Sequence, residues 1–154
     1  MHWVNNIPAW ESFNYVEQDC EGTILTTGGG LYTKGLSNCL CVVATDGQSK
    51  YGMIHVNPNH EKQIPWVRSL IANTAASELL ITGANWPDQE GRGEILSAML
   101  IGYEGLLIDE TKGRWVQHSL AGTVQVNPGS FVGLVGWVAV NATTGAYAFA
   151  GALG

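Results

Sequence analysis

Cys39 and His55 are the residues whose types and spacing best suit chemistry. Cys39 closes the segment LYTKGLSNC (31–39), so it follows a turn of Gly, Ser and Asn and heads a run, 39–45, that is apolar or small throughout. That placement exposes a thiol while fixing its backbone. The thiolate is the reactive form of cysteine, and a neighbouring imidazole or the N–H groups of a turn promote it. His55, in the strand-like run YGMIHVN (51–57), offers the imidazole.

The turn residues DGQSK (46–50) separate the two runs, which therefore read as a hairpin. Side chains alternate along a strand, so Cys39, Cys41, Val43 and Thr45 share one face, and Tyr51, Met53, His55 and Asn57 share one face of the next strand. Two registers are open. A turn at DGQ pairs residue 45 with 49 and sets Cys39 opposite His55, with Cβ atoms about 4.5 to 5.5 Å apart, which suits a Cys–His ion pair. A turn at GQS pairs 46 with 50, sets Cys41 opposite His55 and makes Cys39 a diagonal neighbour at roughly 7 Å. Pairing alone does not choose between the thiols, although Cys39 has the turn N–H groups beside it and Cys41 lies inside the strand. A zinc site would have to gather Cys39, Cys41, His55 and His60, and only the His55 to His60 spacing matches a common ligand pattern; no metal and no cofactor is expected.

Other elements must hold this pair in place. Thr23 to Thr27 reads as a strand closed by three glycines. From Glu61 to Ser77, Ile64, Val67, Leu70, Ile71 and Ala75 recur at helical spacing, with Pro65 tolerable in the first turn. Glu78 to Thr82 reads as a strand, Gly93 to Gly102 as a second helix, and Leu106 to Asp109, Thr123 to Val126, Val132 to Val140 and Ala146 to Ala150 as further strands. This order predicts an α+β fold, with helices on a twisted or sandwiched antiparallel sheet. Tyr51, Trp66, Trp86, Trp115 and Trp137 could line a groove, but large aromatics are more often core or partly buried surface, so none is assigned to the site.

Composition bounds the partners. The 154 residues suit one domain, 1–154, and 45% hydrophobic against 13% charged residues can build a sizeable core. The net charge is −6 and the few Lys and Arg are scattered, so no nucleic acid partner is expected. The start, MHWVNNIPAWESF, lacks the features of an export signal, and three unframed cysteines fit a reducing compartment, so a cytoplasmic location is expected. The apolar stretch from Phe131 onward is broken by Asn141 to Gly145, a turn between two strands, so no membrane insertion is expected.

The pattern L-x-T-x-G-L-S-N-C39, then an apolar strand, then G52-M-I-H55-V, resembles the chemoreceptor glutamine deamidases (CheD), and the catalytic domain of cytotoxic necrotizing factor toxins carries a similar Leu-Ser-Gly-Cys followed by a histidine. The resemblance spans roughly residues 23 to 128. Asn38 stands where the family usually has Gly or Ser, and 131–154 has no counterpart there. It implies a β-sandwich core of mostly antiparallel strands flanked by about two helices, with Cys39 as nucleophile, His55 as general base and Thr33 orienting the imidazole.

The activity so implied converts protein glutamine to glutamate through a thioester, with the backbone N–H groups of Asn38 and Cys39 holding the oxyanion. The partner is then a protein with an exposed glutamine, and delivery by a specialised secretion system is compatible with the class. A transglutaminase, a cysteine peptidase or a catalytically silent binding module of the same fold are the alternatives.

Overall fold

The computed structural model describes residues 1–36, 38–57, 61–83, 91–108 and 136–150. Two sheets form the body. One runs β1-β9-β8-β4-β2, built from β1 (His2–Trp3), β2 (Asn14–Tyr15), β4 (Gly30–Lys34), β8 (Trp137–Asn141) and β9 (Ala146–Ala150). The other runs β3-β6-β5-β7, from β3 (Thr23–Leu25), β5 (Leu40–Thr45), β6 (Tyr51–Val56) and β7 (Glu78–Gly83). Most pairings are antiparallel, and helices α1 (Gln63–Asn73) and α2 (Arg92–Leu100) complete an α+β fold with a sheet core.

Side-chain alternation explains the layering. Leu40, Val42 and Ala44 of β5 join Ile54 and Val56 of β6 beneath Val67, Leu70 and Ile71 of α1 and Leu96, Met99 and Leu100 of α2. The opposite face presents Cys41 and Val43 of β5, Met53 of β6 and Leu80 of β7 to Leu31, Val138, Val140 and Tyr147 of the other sheet. Both faces of β5 and β6 are thus covered, which is why every residue of the two strands is buried and apolar residues predominate on both faces.

Several expectations shift in detail. The first helix is shorter than 61–77, since Thr74 turns its side chain onto the carbonyls of Leu70 and Ile71 and Ala75 takes a left-handed φ of 49°. The expected strand at Leu106 is a 3-10 turn, Glu104–Leu106, followed by a single bridge from Leu107 to Leu79. Asp109, the strand expected at 123–126, and Val132 to Val135 lie outside the described residues. The tail from Trp137 forms the expected hairpin, with Asn141 Oδ1 accepting the N–H groups of Thr143 and Thr144. No helix among the described residues is long and apolar enough to cross a membrane.

Strand β4 is an addition to the sequence reading. Leu31 and Thr33 face the inter-sheet core, and the outward Tyr32 is covered by an N-terminal layer in which Trp10 meets Tyr32 edge-on at 5.3 Å and stacks on Trp137 at 4.0 Å.

Candidate functional site

The hairpin takes the second of its two registers. Thr45 pairs with Tyr51, so Cys41, not Cys39, stands opposite His55. The turn enforces this: Asp46 Oδ1 accepts the N–H groups of Gln48, Ser49 and Lys50 at 2.9 to 3.0 Å, and the Thr45 hydroxyl donates to the Lys50 carbonyl at 2.7 Å while accepting Gly47 N–H at 3.0 Å. Five residues locked in this way leave the strands paired from 45 and 51 onward.

Cys39, immediately before β5, is therefore the diagonal neighbour of His55 on the inter-sheet face. Both thiols are buried, so the turn does not expose Cys39 as its place after Gly, Ser and Asn suggested: Cys39 retains 7% of its surface and Cys41 none, and burial pushes the Cys41 pKa far up. Asn38 is exposed in a bend beside Cys39.

Thr33 comes to His55 from the other sheet. Its Oγ1 lies 2.7 Å from His55 Nδ1 and 2.7 Å from the Val16 carbonyl oxygen. A hydroxyl has one hydrogen and a carbonyl can only accept, so the Thr33 proton goes to Val16. The second contact must then be Nδ1–H donating to Thr33. This fixes the tautomer: the proton sits on Nδ1, and Nε2 is left with its lone pair. Nε2 is buried without a hydrogen-bond partner among the described residues.

The chain that carries Val16 also closes the site. Val16 N–H donates to the Tyr32 carbonyl at 2.8 Å, extending the β2–β4 pairing, and two residues later Gln18 bridges His55 in the other sheet. Asp19 follows with a left-handed φ of 60° and accepts from Gln63 Nε2 at 3.3 Å; the buried Gln63 in turn accepts Asn57 N–H at 2.8 Å. The side chain of Gln63 thereby links the Asp19 carboxylate to the backbone just after His55. Asp19 and Gln63 were not legible as site residues, because neither lies near Cys39 or His55 in the chain in any motif spacing.

The electrostatics oppose a resting ion pair. Burial raises the Cys39 pKa; the Asp19 carboxylate adds to this and the Arg92 guanidinium opposes it. Burial lowers the His55 pKa, with Asp19 opposing. Both groups are thus driven toward their neutral forms, a thiol and an imidazole, and away from the ion pair that the first of the two registers would have suited. In each group desolvation is the largest influence.

Gly83 protects the geometry from the other edge of β5. Its φ is +122°, and a Cβ there would run into the Cys39 carbonyl oxygen and stand 3.2 Å from Leu40 Cα. Gly83→Ala should therefore destabilise the fold by about 2 kcal/mol or more and displace Cys39; urea unfolding measures the first effect and thiol alkylation the second.

The aromatic residues considered for a groove disperse. Tyr51 faces the inter-sheet core, Trp66 lines a cleft of about 310 Å³ with Glu21, Gly22 and Ile24, and Trp137 lies on the outer aromatic layer. Trp86, Trp115 and His60 lie outside the described residues. Among the described residues no group of three or more His, Cys, Asp and Glu side chains is placed to hold a metal ion.

Sequence comparison adds no family to this geometry: no protein-family model matches the chain, and neither does any curated protein.

Proposed function

We propose that the chain is a protein-glutamine deamidase in which Cys39 attacks the side-chain carboxamide and His55 is the general base. The observation that carries this reading is the Thr33–His55 contact. A buried hydroxyl already committed to Val16 forces the imidazole proton onto Nδ1 and leaves Nε2 a bare acceptor on the face that Cys39 shares. A structural histidine has no need of that arrangement, since an orphaned buried acceptor costs roughly 1 to 3 kcal/mol.

With both groups neutral at rest, His55 Nε2 takes the Cys39 proton as sulfur attacks the glutamine Cδ, a general-base step rather than attack by a preformed thiolate. The oxygen becomes an oxyanion facing the N–H groups of Asn38 and Cys39. The imidazolium returns its proton to the leaving nitrogen, ammonia departs, and a thioester remains. Water then attacks the thioester, giving its proton to Nε2, and the tetrahedral species expels the thiolate, which regains that proton. The target ends as glutamate with one more negative charge.

The exposed glutamine of a protein substrate is the partner this chemistry requires, and a cytoplasmic setting suits a free thiol. The test is the intact mass of glutamine-bearing candidate proteins, with ammonia release, after incubation with wild type and with Cys39→Ser. A gain of about 1 Da per site, the mass of OH replacing NH₂, that vanishes in the variant supports deamidation. No gain, together with a Cys39 inert toward alkylation, favours a silent binding module instead.

A further inference from the structure

The inter-sheet face of β7, β5 and β6 carries one row of three side chains. Cys41 is paired with Thr82 on one side and with His55 on the other, and all three point into the space between the sheets with Leu80 and Met53. Two of the three hold a buried polar atom without a hydrogen-bond partner: His55 Nε2 and Thr82 Oγ1. Thr82 is 1% exposed. Folded proteins rarely leave such atoms unpaired, and valine has nearly the shape of threonine without the hydroxyl.

Cys39 lies two residues before Cys41 on the same face, with Leu40 paired to both Val56 and Gly83, so it is diagonal to His55 across β6 and diagonal to Thr82 across β7. The two residues that hold the unpartnered atoms therefore lie directly on either side of Cys41 and one diagonal step from Cys39, His55 offering an acceptor and Thr82 a donor.

We propose that Thr82 is a further member of the site, its hydroxyl donating a hydrogen bond to Cys39 Sγ once the thiol proton has passed to His55 Nε2. Thr82 keeps its own proton; it stabilises the charge that the transfer creates. The role rests on Cys39 being the nucleophile. It also supplies what the surroundings withhold, since of the charged groups acting on Cys39 from the packed elements, Asp19 after β2 disfavours the thiolate and Arg92 at the start of α2 favours it, against a larger cost of burial. Among the other groups on this face, Cys41 is buried and His55 receives the proton.

The experiment is the pH dependence of Cys39 alkylation by iodoacetamide in the full chain, located by peptide mass mapping, for wild type, Thr82→Val and Thr82→Ser. Loss of one hydrogen bond to the thiolate should raise the midpoint by about one pH unit, so that alkylation below it slows roughly tenfold. Thr82→Val should melt no lower than wild type, and Thr82→Ser should restore the wild-type midpoint. A folded Thr82→Val with the wild-type midpoint overturns the role while leaving the deamidase reading intact. Thr82→Ala gives the same readout if the valine variant does not fold. A wild-type Cys39 that stays inert overturns the nucleophile itself, and the Thr82 role with it.

Discussion

His55→Asn should lower kcat/KM for deamidation by about 10³ to 10⁴ while the fold persists. The asparagine amide nitrogen can take the place of Nδ1 and donate to Thr33 Oγ1, so the contact between the sheets survives. Nothing replaces Nε2, the atom that must accept the Cys39 proton, and loss of a positioned general base carries a penalty near the top of the usual range. Turnover and circular dichroism on the same sample separate the two effects, and a variant that turns over at the wild-type rate would remove His55 from the mechanism.

The same residue sets the acid side of the pH profile. Burial holds its pKa below the ordinary 6.5, and a base acts while neutral. The wild-type rate should therefore persist below pH 6.5 and fall only as pH drops through the depressed value. Stability follows with the same sign: between the ordinary and the depressed value the unfolded chain binds a proton that the folded chain excludes, so the fold is weakened as pH falls through that window and fully stable above it. Urea unfolding at pH 7.5 and near pH 5 should show a loss that His55→Asn reduces.

Thr33→Val should cost both activity and stability. It removes the hydroxyl that accepts from Nδ1 and donates to Val16, so a buried N–H and a buried carbonyl lose partners at once. The expected destabilisation is about 2 to 4 kcal/mol. Activity should fall by roughly a hundredfold, because the imidazole is then free to carry its proton on Nε2, the wrong tautomer for the base. Thr33→Ser keeps the hydroxyl and should recover most of both. A Thr33→Val protein with full kcat/KM would show that the contact is structural only.

How much of this was legible in the chain depends on the range of the interaction. The apolar run from Cys39 to Thr45, the strand-like run from Tyr51 to Asn57, the three-and-four spacing of Val67, Leu70 and Ile71, and the turn at Asn141–Gly145 all act between near neighbours, and each corresponds to the right kind of element. Strand β4 escaped because its outward Tyr32 is covered by Trp10 and Tyr15 from a distant segment, so GLYTK shows no clean alternation of apolar and polar residues. The short strands β1 and β2 owe their pairing to β9 and β4 rather than to any pattern of their own.

The sequence by itself determined the α+β class, the turn that delivers Cys39 to the head of a strand, and a hairpin that brings an imidazole to the same face. It left open which thiol faces that imidazole, because a slip of one residue in the turn exchanges the two. Tertiary structure decided the rest. The Asp46 carboxylate gathers three backbone N–H groups and so fixes the register that sets Cys41 opposite His55. The second sheet carries Thr33 to Nδ1 and thereby chooses the tautomer. Burial between the sheets sets both Cys39 and His55 toward neutrality, since the cost of a charge depends on everything packed around it and not on the residues beside it in the chain.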